Sequence, residues 1–409
     1  MTEDSSIELE PGISAYTPAP LDIAFRVGSF PKLSETFVLK QISGLIGLGH
    51  RVTILADSWS GEASAPDGIA ATRYVQPRAG WLQALYRRLP YRFKRSLTAA
   101  AERRMSRKAD VVVCNFGWFG EQVFEHTSAL PDAAKIVTIF HGDDMSRSLK
   151  DGSRARYDDL LKSDGVFLPI SDLWRRELLK LGASDSQIEI YHMGVDPDEF
   201  AFRAPQDNPD KPFQMIAVGR FVEKKGLEYA IRAVAQAASQ IGDRKIHLDL
   251  IGDGPLADPL KALVEELDLG AMVTFHGFLP HAEVAKALKD ADAFVLPSVV
   301  AADGDMEGIP VSLMEAMASG LPVLSTRHSG IPELIEHGVN GLLADERDVA
   351  GLSNQIVTLI NDPDGRAARA AKARETIEQD FNLKTLSVQL SEICRASVHP
   401  SQSSKPPVS

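Results

Sequence analysis

FQMIAVGRFVEKKGLEYAIRAVAQAA, residues 213–238, reads as one strand, one loop and one helix. Phe213–Gly219 is a short apolar run, the pattern of a strand buried on both faces. From Leu227 to Ala238 the residues are strongly helix-forming and apolar at helical spacing. A buried strand leading straight into a helix is half of a βαβ unit. The same unit recurs outward on both sides. Toward the C-terminus, strands are expected at Lys245–Gly252, Met272–Gly277, Ala293–Ser298, Pro322–Thr326 and Asn340–Ala344. Toward the N-terminus they are expected at Leu21–Val27, Arg51–Ala56, Val111–Cys114, Lys135–Phe140 and Gly165–Ile170. Helical patterns separate them, so the fold class is α/β with mostly parallel sheets. Between the two series, Val195–Pro212 is rich in Pro and Asp and has no sustained period, which predicts a linker. Two doubly wound, Rossmann-like halves are expected, over residues 21–200 and 201–380, with a C-terminal helix near 381–397 rejoining the first. The polar ends, 1–20 and 398–409, are expected to be disordered. Such sheets bind ligands outside the carboxyl ends of their strands, here in a central cleft between the halves.

Composition narrows the function. The chain has 409 residues, a formal net charge of −12 and two cysteines. An acidic chain argues against nucleic-acid binding, which needs a basic surface. Cys114 and Cys394 are too few and too far apart for a disulfide framework, so a reducing compartment is expected. The start, MTEDSSIELEPG, lacks the basic and apolar stretches of a secretory signal. No apolar run approaches the roughly 20 residues of a membrane-spanning helix. A cytoplasmic location is therefore expected. Residues 81–108 stand apart. From Arg87 onward they carry nine Lys or Arg against one acid, Glu102, interleaved with Trp81, Leu82, Leu85, Tyr86, Leu89 and Phe93. This pattern suits a helix docked peripherally on the anionic inner face of a membrane. It equally suits a basic face with its aromatics packed inward.

The chemistry is concentrated in short motifs. In DGDMEGIPVSLMEAMASG, residues 303–320, Glu307 falls in a loop and Glu315 inside the following helix. The loop amides near Gly308 and Ile309 precede a helix N-terminus, where N–H groups and the dipole attract anions. Two carboxylates flanking an anion site suit a sugar nucleotide, because each accepts paired hydrogen bonds from vicinal hydroxyls. A solvated helix with two unrelated glutamates fits the spacing as well. Arg220 and Lys225 project from the 219–226 loop and could hold a diphosphate, whereas Lys224 reads as solvated surface charge. Gly252 and Gly254 allow a close backbone approach to a ligand. His141 follows a buried strand at the cleft end and is either structural or catalytic. Gly28 and Ser29 are expected to close the first strand, and Ser34 to cap the next helix. Asp303-Gly304-Asp305 matches the D-x-D pattern of metal-dependent sugar transferases but lies in an irregular loop. No His, Cys and carboxylate cluster has metal-ligand spacing, so neither metal nor cofactor is expected. There is no G-x-S-x-G nucleophile elbow, no P-loop, and no G-x-G-x-x-G after the first strand.

Together these stretches resemble the retaining GT-B glycosyltransferases of family 4, over nearly all of residues 21–395. G-R-x-x-x-x-K-G at Gly219–Gly226, IGDGPL, the glutamate pair Glu307/Glu315, EAMASGLPVLST and SGIPELIEHGVNGLL occur in family order. A narrower likeness, in SFPKLSETFV, FHGDDMS, LPISDLW and MGVD, is to bacterial transferases of colanic-acid and related exopolysaccharide synthesis. The resemblance implies transfer from a nucleotide-sugar donor, a UDP-sugar ahead of a GDP-sugar, to a lipid-linked oligosaccharide. It implies that Arg220 and Lys225 hold the diphosphate. Glu315 would take the ribose and Glu307 the donor sugar. Gly308 and Ile309 amides would assist, His141 would contact the sugar, and Gly28 would border phosphates and acceptor. A longer loop before Glu307, Ala301–Asp305, departs from the commoner family spacing. A sugar-nucleotide epimerase and a non-catalytic sugar-nucleotide-binding subunit are the rival readings.

Overall fold

The computed structural model describes residues 19–32, 35–78, 80–150 and 157–399. Most of the two expected tails, and Ser34 with its expected cap, lie outside them. Six strands form the first sheet: β1 (Asp22–Phe30), β2 (Arg51–Trp59), β3 (Ala71–Tyr74), β4 (Val111–Asn115), β5 (Lys135–Phe140) and β6 (Val166–Pro169). Six more form the second: β7 (Phe213–Val218), β8 (Ile246–Ile251), β9 (Val273–Gly277), β10 (Ala293–Leu296), β11 (Val323–Thr326) and β12 (Leu342–Ala344). The orders are β3-β2-β1-β4-β5-β6 and β12-β11-β10-β7-β8-β9, with every pairing parallel. Counted from its own first strand, the second sheet has the same order as the first. That order reverses direction between β1 and β4, and between β7 and β10. Doubly wound folds open a ligand crevice at such points.

The central strands β4, β10 and β11 are buried along their whole length, which explains their unbroken apolar runs. Two expectations needed correction. β3 went unread, because ATRY is a four-residue edge strand that is nowhere buried and has no core periodicity. Gly28 and Ser29 do not close β1. The strand runs on to Phe30 because β2 also extends, pairing Ser29 with Ser58 and Phe30 with Trp59.

Three helices matter below: α1 (Thr36–Gly47), α2 (Gly80–Arg88) and α3 (Tyr91–Ser106). The C-terminal helix Leu383–Val398 returns to the first sheet and packs on α1. A Cβ on Gly44 of α1 would lie 2.1 Å from the Ser387 hydroxyl, so only glycine lets the two helices meet there. His50 Nε2 and Ser391 Oγ, 2.7 Å apart, tie the same junction. Between the sheets, residues 201–212 form neither helix nor strand.

Candidate active site

The loops after β5 and β6 meet the loops after β10 and β11, so the carboxyl ends of the two sheets converge. A Cβ on Gly142 would stand 2.6 Å from the Met306 carbonyl, and one on Gly308 2.3 Å from Ile170 Cδ1. The Asp172 amide donates to both Glu333 carboxylate oxygens at 2.9 Å.

Glu307 lies at the centre of this junction, 9% exposed. Its Oε2 is 3.1 Å from Lys225 Nζ and its Oε1 3.6 Å from Lys224 Nζ. Sheet topology explains the meeting. β7, which carries the lysine loop, pairs with β10, which carries the glutamate loop. Gly226 seals the contact at φ 62°, since any Cβ there would sit 1.9 Å from the Pro297 carbonyl. Burial pushes the Glu307 carboxyl up, but Lys225 and then Lys224 outweigh it and hold it below its ordinary value. The site therefore holds a buried carboxylate, and its Oε1 has no hydrogen-bond partner.

Lys224 is not a solvated surface charge. It donates to Asp305 Oδ1 at 3.0 Å and to the Met306 carbonyl at 3.4 Å, with its side chain only 15% exposed. Burial alone would lower its pKa; Glu307 and Asp305 raise it instead. Lys224 thereby fastens the loop Ala301–Asp305 to the second sheet, so Asp305 is an ion-pair partner. Among the described residues no group of three or more His, Cys, Asp or Glu is placed to hold a metal ion.

His328, two residues past β11, was missed in the sequence. It is fully buried and accepts the Glu307 backbone N–H through Nε2 at 3.1 Å. An accepting Nε2 puts the proton on Nδ1, which donates to Glu346 Oε1 at 2.6 Å. Glu346 Oε2 in turn accepts the Val300 amide at 2.9 Å. Both ends of the loop that presents Glu307 are thus held by one His–Glu pair. The available signal was a lone histidine at the carboxyl end of a buried strand, the position His141 also occupies.

His141 is buried between the rings of Phe37 and Phe116, at 4.8 and 4.6 Å. Its side chain accepts the Asp144 amide in a capping box, and Nε2 faces Asn115 Oδ1 at 3.0 Å. Both ring nitrogens are engaged, and burial lowers the pKa to about 3. His141 is therefore neutral at working pH. The unfolded chain, with histidine near 6.5, binds the proton more tightly than the folded one. Stability contributed by neutral His141 is complete above pH 6.5 and is lost progressively as pH falls toward about 3. His141→Asn is expected to flatten this part of the acid-stability curve in urea titrations taken at successive pH values. An unchanged slope would show that other groups set it.

The remaining predicted residues are distributed as follows. Arg220 is exposed and its guanidinium pairs with no described residue. Lys225 lays its aliphatic chain over Gly219, with Cε 3.4 Å from where a Cβ would stand. The Gly308 and Ile309 amides donate to no described residue and precede the helix Val311–Ala318. Glu315, in that helix, lies 3.5 Å from His281 Nε2, and this hydrogen bond raises the His281 pKa. Gly28 lies inside β1, where a Cβ would make an ordinary 3.4 Å contact with Phe119. Gly252 and Gly254 need glycine for another reason than ligand approach. A Cβ would meet the Gly219 carbonyl at 1.9 Å in the first case and the Phe221 carbonyl at 2.6 Å in the second. The two loops pack on each other.

Comparison with known proteins accounts for this arrangement. Residues 34–199 match the model described as Glycosyltransferase Family 4, and residues 198–376 that of Glycosyl transferases group 1. A protein of Escherichia coli K12 named as a colanic acid biosynthesis glycosyltransferase, WcaL, is 36% identical across 92% of this chain and 100% of its own length. The chain belongs to the family 4 glycosyltransferases. The amylovoran biosynthesis glycosyltransferase AmsK of Erwinia amylovora is 34% identical over 91% of this chain and 99% of its own. Among solved structures, Anabaena HepE in complex with UDP superposes with a TM-score of 0.72 at 19% identity, over 92% of this chain and 100% of that one. The same protein has been solved with UDP-glucose. The likeness establishes GT-B as the fold of this glycosyltransferase.

Proposed function

We propose that this glycosyltransferase moves a sugar from a nucleotide-sugar donor to a hydroxyl of a lipid-linked oligosaccharide in exopolysaccharide synthesis, with retention of anomeric configuration. The carrying observation is Glu307: an ionised, buried carboxylate held by Lys225 and Lys224, set beside the Gly308 and Ile309 amides, which donate to no described residue. In the donor complex a sugar hydroxyl donates to this carboxylate. The 34–36% identity to exopolysaccharide transferases supports the pathway. The UDP and UDP-glucose complexes of HepE support a nucleotide-sugar donor.

In this reading Arg220 and Lys225 hold the donor diphosphate. Glu315 receives the ribose hydroxyls in exchange for His281. Gly28 borders the acceptor side, and Gly252 and Gly254 shape the loop behind Lys225. The acceptor hydroxyl attacks the anomeric carbon from the face the diphosphate leaves. The new C–O bond forms as the sugar–phosphate bond breaks, and a leaving phosphate oxygen takes the acceptor proton. Arg220 and Lys225 stabilise the negative charge growing on the diphosphate, an electrostatic effect worth on the order of 3 kcal/mol per group. Their two positive charges serve where other transferases use a metal, so no metal is required. His141 is a wall of the sugar site, because its nitrogens are already engaged and it carries no charge.

Thermal unfolding with UDP, GDP or ADP at equal concentration tests the donor site. A nucleotide at ~100 times its dissociation constant adds about 2.7 kcal/mol of stability. A shift with UDP alone is expected. A shift with GDP alone would reassign the donor, and no shift with any nucleotide would overturn a preformed diphosphate site.

A further inference from the structure

The hairpin of α2 and α3 presents a surface that the cleft does not explain. α2 buries none of its residues, and α3 buries only Ala99, Glu102 and Ser106. The reading in which the aromatics pack inward therefore fails. Trp81 is 74% and Tyr91 80% exposed, alongside Leu82, Leu85, Phe93 and Leu97. Half of the large apolar side chains left exposed among the described residues lie between Trp81 and Leu97. Single exposed apolar residues are ordinary, but a cluster of this size marks an interaction surface.

The charges around it select the partner. Glu102, the hairpin's single acid, is fully buried under α3 against Arg26 at 2.7 Å. The hairpin thus offers solvent cations and no carboxylate of its own. Beside α3 a groove of about 770 Å³ adds Arg51, Arg73, Arg104 and Lys108 against Asp22, which Arg51 already pairs at 3.2 Å. The hairpin also leaves the sheet from the cleft side. Just before it, the Arg78 guanidinium stacks over Trp59 and Tyr74, the last residues of β2 and β3, at 4.6 and 5.5 Å.

We propose that this hairpin docks the protein on an anionic lipid bilayer. Trp81, Leu85, Tyr91 and Phe93 enter the interface, while Arg87, Arg88, Arg92 and the groove cations face the headgroups. An amphipathic basic helix with aromatic residues lies in the interfacial plane in this way, and each basic residue adds attraction to anionic lipid. Docking brings the rim of the cleft to the membrane; that this delivers a lipid-linked acceptor rests on the proposed function, whereas the docking itself does not.

The test is cosedimentation of the full chain with phosphatidylcholine vesicles and with phosphatidylcholine–phosphatidylglycerol vesicles. Recovery on the anionic vesicles alone, weakening as salt is raised, is expected. The triple variant Arg87→Glu, Arg88→Glu, Arg92→Glu changes only exposed side chains and should keep its circular dichroism. Its partition should fall on the order of a hundredfold. Trp81→Ala with Leu85→Ala and Phe93→Ala should also release the protein. Equal recovery on both vesicle types would overturn the proposal, as would a charge-reversed variant that sediments like the wild type. A dimer in light scattering that the apolar triple variant abolishes would assign the surface to a second copy instead.

Discussion

Glu307→Ala is expected to lower transfer on the order of a hundredfold or more while the protein stays folded, and Lys225→Ala to do the same. Glu307 is ionised because Lys225 and Lys224 overcome its burial. Alanine removes the carboxylate and leaves the Lys225 ammonium without its 3.1 Å partner. Lys224 retains Asp305 and the Met306 carbonyl, so the loop should remain fastened. The measurement is the rate of nucleotide release from the donor that the thermal shifts select, with the unfolding midpoint followed in parallel. Glu307→Gln separates charge from shape. It keeps the volume but removes the negative charge, and should behave like alanine in transfer. Near-normal transfer by Glu307→Ala or Lys225→Ala would remove that residue from its proposed role.

Glu102→Ala is expected to destabilise the first half of the molecule by about 3–5 kcal/mol, the cost of leaving a buried charge without its partner. Arg26 lies in the middle of β1 and is fully buried. It pairs with Glu102 Oε1 at 2.7 Å and with Asp57 at 2.5 Å, and its guanidinium lies 4.6 Å over the Phe119 ring. Glu102 also receives Gln122 and His126. Removing it leaves Arg26 with Asp57, whose side chain is 36% exposed. Because Glu102 is the buried ion-pair anchor of α3 on β1, vesicle binding should weaken with stability. Denaturant titration followed by fluorescence would show the loss. The double variant Arg26→Met, Glu102→Leu should recover much of it, since apolar residues of similar volume often replace a buried pair without cost. If both variants unfold like the wild type, the network contributes nothing to stability.

Local periodicity was enough for the α/β class and, to within a few residues, for eleven of the twelve strands among the described residues. Buried strands and amphipathic helices write their burial into local periodicity, which a reader can recover without coordinates. β3 escaped for the same reason, because an edge strand of four residues that buries none of them leaves no period. Residues whose role depends on a partner were decided only in three dimensions. Lys224 looked like one charge in a solvated run, yet it meets Asp305, 81 positions away. His328 carried no motif, yet it holds the Glu307 amide and Glu346 together. The Arg26 partners, Glu102 and Asp57, lie 76 and 31 positions away, and Trp81 could have faced either way. Such pairings follow from which strands are neighbours in the sheet and which loops converge where the two sheets meet. Strand order and loop convergence are set by packing over the whole chain, and no window of a few residues records them.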